Sequence, residues 1–330
     1  MESGSPPANP WPSGPPDGFR SGFVALIGRP NVGKSTLLNQ LVGRKVAITS
    51  PVAQTTRHRL RGIHTTAQVQ LVLLDTPGIH KPHHLLGERL VNTARRTIGD
   101  VDVVLLLVDG SQPAGRGDAF IVELLRHCRI PVQVALNKCD LIKEGQSESL
   151  AASYRELLAP AATEGPDDTP GQHNRPPLHW PLHPVSARTG EGTDVLVEAL
   201  SAVLPEGPYL YPPDAVSDQP EQLLMAELIR EQVLTLTREE VPHSVAVTID
   251  RVVDDGPRLA VLATVLVERD SQKGILIGRG GRMLKNIGQG ARLQMEKLFS
   301  GPVYLELFVK VVPGWRRSPA RLAELGFREE

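Results

Sequence analysis

Gly28-Arg29-Pro30-Asn31-Val32-Gly33-Lys34-Ser35 reads G-x-x-x-x-G-K-S. Glycines at this spacing let successive backbone N–H groups turn toward one point. A helix starting at the same place adds its partial positive charge. Such a cradle suits phosphate oxygens. Lys34 would reach the outer phosphates, and the Ser35 hydroxyl would ligate Mg²⁺. Asp75-Thr76-Pro77-Gly78 follows the apolar run Leu71–Leu74. A carboxylate at such a strand end can hold Mg²⁺, usually through water, and Gly78 lets a backbone N–H approach a terminal phosphate.

A phosphate cradle does not name its nucleotide. Asn137-Lys138-Cys139-Asp140 does more. A fixed carboxylate at Asp140 can accept from both the N1–H and the exocyclic amine of guanine. Adenine offers a lone pair and nothing at those positions, so the wrong base leaves a carboxylate facing a lone pair. Asn137 would tie this loop to the base and to the phosphate loop, and Lys138 would lay its methylene stem along the base. Ser186-Ala187-Arg188 follows a short strand and would place the Ala187 N–H against guanine O6. The residue after Gly78 is Ile79, where Ras-type enzymes carry a water-orienting glutamine. An isoleucine cannot hold water, so hydrolysis has to be arranged by backbone, by a partner or by a monovalent cation.

A second constellation lies far along the chain. Gly278-Arg279-Gly280-Gly281 is G-x-x-G, followed by Arg282 and Lys285. Glycines there let a nucleic-acid backbone come close to a helix N-terminus, the clamp used by KH domains. Residues 269–297 carry seven basic side chains against two acidic ones, a local net charge of +5 on a chain of net −1. RNA contact is therefore expected from this patch, not from a generally basic surface.

These groups must be held by a scaffold, and the hydrophobic pattern supplies one. Near-continuous apolar runs such as Val103–Val108 are what strands covered on both faces look like. Strands are expected at 23–27, 59–65, 69–74, 101–108, 131–136 and 182–185, and helices at 34–42, 85–98, 117–127, 147–158 and 193–203. Alternating strands and helices predict an α/β, doubly wound, mostly parallel sheet for a nucleotide domain at 21–206. Residues 1–20 hold six prolines and read as a disordered tail; residues 160–184 hold seven and read as a surface insert. Residues 207–220 read as a linker. Beyond it, a helix at 221–238, strands at 245–253 and 259–267, helical pieces at 272–276 and 283–298, and a strand at 303–312 give the order α-β-β-α-α-β. That is an α+β domain of type II KH order over 221–330, with a C-terminal extension.

Composition sets outer limits. A hydrophobic fraction of 40% is enough for real cores, and an aromatic fraction of 4% leaves little room for base stacking. Two cysteines, Cys128 and Cys139, in no metal spacing fit a reducing compartment, and no apolar run approaches membrane-spanning length.

In this order the motifs resemble those of translation-factor-related GTPases. With a following type II KH domain they resemble the Era-like GTPases of bacteria. Ala53-Gln54-Thr55-Thr56-Arg57-His58-Arg59, Ile98-Gly99-Asp100-Val101 and Val309-Lys310-Val311-Val312-Pro313-Gly314-Trp315 carry the resemblance further, as do Leu322 and Gly326-Phe327. The resemblance implies GTP and GDP as ligands and GTP hydrolysis as the reaction, with Lys34, Thr56 and Gly78 as the catalytic group. It implies Mg²⁺ held by Ser35, Asp75 and Thr56, with Thr55 the alternative switch threonine. At Asn31 it leaves two roles open, a ligand for K⁺ beside the phosphates or a residue that shapes the loop. It also implies binding near the 3′ end of 16S ribosomal RNA in the 30S subunit, a part in small-subunit maturation, a cytoplasmic monomer, and loose peripheral membrane association in some members. A P-loop enzyme acting on a small molecule, or an RNA-binding scaffold with structural nucleotide, are the rival readings.

Overall fold

In the computed structural model, the residues described are 14–50, 60–79, 97–126, 128–159, 179–237, 241, 244–254, 256 and 258–318. The expected switch residues Gln54, Thr55 and Thr56, most of the proline-rich insert and the segment from 319 onward lie outside them.

Strand β1 (Arg20–Gly28) is central to the first sheet. Its residues alternate between two cores: Val24 and Leu26 enter one, Ala25 and Ile27 the other. The strands β3 (Val69–Asp75) and β4 (Val103–Asp109) flank it in parallel. On the far side of β4 lie β5 (Val132–Asn137) and β6 (Leu182–Pro184), and β2 (Leu60–Thr65) pairs antiparallel with β3 at the opposite edge. The order is β2-β3-β1-β4-β5-β6. Helices α1 (Lys34–Val42) and α4 (Thr193–Val203) cover one face through Leu37, Leu38, Leu41, Leu196 and Leu200. Helices α2 (Arg116–Leu125) and α3 (Ser147–Leu158) cover the other through Ile121, Val122, Leu125, Tyr154 and Leu158. This is the doubly wound arrangement expected, and it brings the carboxyl ends of β1, β3, β4, β5 and β6 to one edge.

The second unit begins with α5 (Glu221–Leu236). Strands β7 (Ala246–Asp254) and β8 (Leu259–Val267) form an antiparallel hairpin. Helices α6 (Asp270–Ile277) and α7 (Arg282–Phe299) follow, and β9 (Val303–Val311) returns parallel to β8. Along β8, Val261, Ala263, Val265 and Val267 are buried against α5 and α7, while the residues between them are only partly covered. The period-2 pattern of a sheet covered on one face is plain here.

Two expectations need correction. The tail does not run to residue 20. Phe19 is 3% exposed, its ring lies 4.7 Å from that of Tyr209, and Arg20 already belongs to β1. Nor is 207–220 a free linker. The buried Gln70 amide captures it: Gln70 Oε1 accepts from the N–H groups of Leu210 (2.7 Å) and Tyr211 (2.9 Å), and Gln70 Nε2 donates to the Tyr211 carbonyl (2.9 Å). Further on, Ile63 N–H donates to the Val216 carbonyl, Ser217 Oγ donates to the Arg61 carbonyl and Arg61 pairs with Asp218. The segment straps the edge strand β2, and its prolines shape the strap without loosening it.

Candidate guanine-nucleotide site and glycine-loop RNA interface

The phosphate loop joins β1 to α1. Gly28 has to be glycine because a Cβ there would meet the Leu107 carbonyl oxygen at 2.3 Å. Gly33 adopts φ +102°, and a Cβ there would sit 2.2 Å from Asn137 Nδ2. Asn31 is also left-handed, at φ +62°, and its side chain is exposed, so it lies on the open side of the loop. Pro30 packs against Gly78, where a Cβ would come within 2.7 Å of the Pro30 backbone. Val32 is buried beneath the loop. Arg29 Nε donates to Asp118 Oδ1 at 2.8 Å, which ties the loop to the start of α2.

Lys34 is 6% exposed, and its Nζ donates to the carbonyls of Gly28 (3.1 Å) and Arg29 (3.0 Å). The ammonium thus spans the loop that would surround the phosphates. Burial lowers its pKa to about 8, against the opposing pull of the Asp75 carboxylate. Ser35 Oγ donates to Asp75 Oδ2 at 2.6 Å. A hydroxyl and a carboxylate so close together are hard oxygen donors, the set Mg²⁺ prefers. Ser35 and Asp75 would hold the ion, and it would neutralise charge on the outer phosphates. Thr76 is turned away from the site, its hydroxyl donating to the Leu26 carbonyl at 2.7 Å. Pro77 carries the chain on to Gly78.

The resemblance sets Ile79, next to Gly78, among the nucleotide contacts, but it is fully buried in the core between sheet and α2, and its N–H donates to the Gly28 carbonyl at 3.0 Å. Its side chain does not face the site, so its role is to anchor the strand-to-loop turn.

The base end is built from three strand ends. Asn137 closes β5, is 2% exposed and works in two directions: Nδ2 donates to the Val32 carbonyl (2.7 Å), and Oδ1 accepts from Ala187 N–H (2.8 Å). The tie from Asn137 to the phosphate loop is as expected; the Ala187 N–H, expected to meet guanine O6, is directed to Asn137 in this structure. Asp140 is exposed, and Ser186 Oγ donates to its Oδ1 at 2.7 Å. Lys138, left-handed at φ +69°, donates through Nζ to Asp109 Oδ2 at 2.7 Å. Cys139 N–H donates to the Val185 carbonyl, which fixes the turn, and burial raises its thiol pKa. Arg188 is exposed at the rim.

Sequence reasoning missed Asp109 and Tyr154. Burial would raise the Asp109 pKa, but hydrogen bonds from Lys138 and Ser111 outweigh it and hold the carboxyl below its ordinary range. The Tyr154 hydroxyl donates to the Asp109 carbonyl at 2.9 Å, and burial pushes its pKa up. Together they anchor Lys138, the lysine expected to lie along the base. The position of Asp109, at the end of an apolar strand beside two motif strands, was the available signal.

On the second unit, Gly278, Gly280 and Gly281 take φ of +68°, +60° and +77°. A Cβ at Gly278 would approach Met283 Cβ at 2.7 Å, so this glycine lets the loop fold onto α7. Arg279, Arg282 and Lys285 lie around the helix start, at or near the surface. Trp315, 2% exposed, donates through Nε1 to the Ser244 carbonyl and seats the chain beyond β9 on this unit.

Residues 23–138 match the family model described as 50S ribosome-binding GTPase, and residues 240–316 match that of the KH domain. Over 319 residues the chain is 56% identical to the GTPase Era of Nostoc sp., covering 97% of this chain and 93% of the relative. The chain belongs to the Era family of GTPases. The Era protein of Synechocystis sp. is 57% identical over 315 residues, covering 96% of this chain and 95% of that one. Two crystal structures of Era are each 38% identical, with TM-score 0.83, covering 94% of this chain and 100% of theirs. One is in complex with MgGDPNP and nucleotides 1506-1542 of 16S ribosomal RNA; the other, a point variant of the Aquifex aeolicus protein, is bound to GDP.AlF4-. As an Era family member the chain is a GTPase, a nucleotide-binding domain followed by a KH domain. The small-molecule kinase reading is set aside on that ground.

Proposed function

We propose that this protein is a GTP-driven switch that binds small-subunit ribosomal RNA through its KH domain and acts in maturation of the 30S subunit. The observation that carries the reading is the pairing, on one chain, of the Asp140–Ser186 guanine clamp with a cationic glycine loop at the start of α7. The Era structure holding both MgGDPNP and nucleotides 1506-1542 of 16S ribosomal RNA supports the same two ligands here. The GTPase domain runs from Phe19 to residue 206 and the KH domain over 221–330, joined by the strap. Lys34 and the Gly78 N–H bind the γ-phosphate; Ser35, Asp75 and Thr56 hold Mg²⁺. Thr56 falls outside the described residues, and its assignment rests on the resemblance alone. Gly278 to Arg282, with Lys285, clamp the RNA backbone. With Ile79 buried, no side chain at that position replaces the water-orienting glutamine; Asn31, on the open side of the loop, would hold K⁺ beside the phosphates, where the cation would add positive charge. The protein works as a cytoplasmic monomer with loose contact to the inner face of the cell membrane. Among the described residues no helix is long and apolar enough to cross it.

Titration of that 16S fragment against protein loaded with GDPNP or with GDP tests the reading. Tighter binding in one nucleotide state is the expected result, and equal affinity would overturn the switch. Hydrolysis rates in KCl against NaCl test the cation, with faster turnover expected in KCl and abolition of the difference in Asn31→Ala.

A further inference from the structure

Glu231 lies on α5 of the second unit, 4% exposed. Its carboxylate meets the first unit at two residues. Oε1 accepts from the Thr49 N–H at 2.7 Å and from the Thr49 hydroxyl at 3.3 Å, and Oε2 pairs with the Lys45 ammonium. Oε2 also accepts from Gln294 Nε2 of α7 at 2.9 Å. A buried carboxylate is costly to desolvate, and this one is compensated by donors from both units. Between Lys45 and Thr49, Ile48 is 1% exposed and packs in the apolar core of the second unit with Met225, Leu228 and Ile229. Among the described residues it is the one buried member of that core from the nucleotide domain.

The same short segment is fastened at its other side to α1, the helix that starts at the phosphate loop. Asn39 of α1 accepts through Oδ1 from the N–H groups of Val46 and Ala47, both at 2.9 Å, and donates through Nδ2 to the Ala47 carbonyl at 2.7 Å. Helix α1 opens on Lys34 and Ser35. Helix α7 opens on Arg282, the residue after the glycine loop. A continuous set of hydrogen bonds and packed side chains therefore runs from the phosphate loop through Asn39, residues 46–49, Glu231 and Gln294 to the helix that presents the RNA loop.

We infer that Glu231 is the positioning residue through which the nucleotide state of the first domain sets the RNA affinity of the second. The inference rests on the switch reading above and names its relay. Burial of Ile48 supplies adhesion that either nucleotide state would keep. The carboxylate adds direction, because its two oxygens fix where Lys45 and Thr49 stand relative to α7. A displacement of residues 45–49 that follows the phosphates would reach α7 through Glu231 and Gln294.

The test is the ratio of affinities for an RNA of nucleotides 1506-1542 of 16S ribosomal RNA, measured in the GDPNP and GDP forms of the full chain. A coupled wild type is expected to show a ratio of about fivefold or more. Glu231→Ala is expected to bring it within about twofold of one, while GDP affinity without RNA stays within about twofold of wild type. Lys45→Met lowers the ratio in part, and adding it to Glu231→Ala changes nothing further, since both act through one ion pair. Lys45 reaches the pair from the solvent side, at 36% exposure, so this variant carries the test even if Glu231→Ala fails to fold. A wild-type ratio retained in Lys45→Met and Glu231→Ala overturns the relay and leaves the switch standing. Equal affinities in the wild type itself overturn the switch, and the relay with it.

Discussion

The Ser186 hydroxyl donates to Asp140 Oδ1 at 2.7 Å and is itself held by the Thr189 N–H at 3.1 Å. Asp140 is exposed, so without this hydrogen bond its carboxylate would sample several rotamers before meeting a base. Ser186 would therefore contribute to guanine binding by preparing its partner. Ser186→Ala removes a hydrogen bond to a charged group, a cost of about 1.5 kcal/mol, or about tenfold in GDP affinity. Equilibrium titration with a fluorescent GDP analogue reads this directly. Asp140→Asn should go further. Its amide donor faces the guanine N–H groups and instead suits the C2 carbonyl of xanthine, so preference moves from guanosine to xanthosine nucleotides. Competition between the two nucleotides checks it, and an unchanged preference for GTP would count against the assignment.

Asn137 joins the phosphate loop to the base loop, and Gly33 leaves the space for it to do so. In Asn137→Ala the Val32 carbonyl and the Ala187 N–H both lose their buried partner. Each costs about 1–3 kcal/mol. The variant should lose nucleotide affinity at both ends of the ligand and melt at lower temperature even without nucleotide. Gly33→Ala should fail differently. Its Cβ would meet Asn137 Nδ2 at 2.2 Å and its φ of +102° is unsuited to an L side chain, so the loop itself is displaced. Thermal unfolding with and without saturating GDP distinguishes them: Gly33→Ala should show no ligand-induced rise.

What could be read from the chain alone depended on whether the signal was local. Helix α1 is delimited at both ends because Gly33 and Gly43 punctuate it and both take positive φ. The strand ends carrying Asp75 and Asn137 follow from apolar runs that stop abruptly at a polar residue. The burial of Ile79 cannot be read the same way, since an isoleucine after a glycine turn is compatible with either a core or a site. The strap at 207–220 is hidden for a related reason. Its composition is that of a linker, and what fixes Leu210 is Gln70, 140 residues earlier in the chain. Glu231 reads in sequence as one more charge on a helix; only the fold brings Thr49 and Lys45 to it.

The Lys34 ammonium gives a pH prediction whose sign is fixed. In the structure its pKa is about 8, lowered from 10.5 by burial. Bound phosphates would raise it again. Nucleotide binding near pH 8 should therefore take up protons, and affinity should fall as pH rises above 8. Calorimetric titration with GTP in buffers of different ionisation enthalpy measures the uptake: a positive proton count near pH 8 that shrinks as the pH is lowered toward neutrality is expected. For folding without ligand the sign also follows. Between pH 8 and 10.5 the unfolded chain binds more protons at this group, so stability from this source is set against the folded state's neutral amine and rises with pH across that window.

The glycine loop should separate RNA binding from chemistry. Gly278 and Gly281 have positive φ, and at Gly278 any Cβ meets Met283 at 2.7 Å. Replacing both by Asp distorts the loop and sets two carboxylates beside the phosphates it would hold. Binding of the 16S fragment should be abolished, with GTP hydrolysis in the absence of RNA unchanged. Arg282→Ala is the milder partner. It removes one cation at the start of α7, and affinity should drop for every RNA sequence alike. For a single strand, the slope of log K against log salt should become shallower by about 0.7 for the one phosphate no longer neutralised. A filter-binding series over salt, with two unrelated RNA sequences, decides it. A sequence-dependent loss would mean that Arg282 reads bases instead of phosphates.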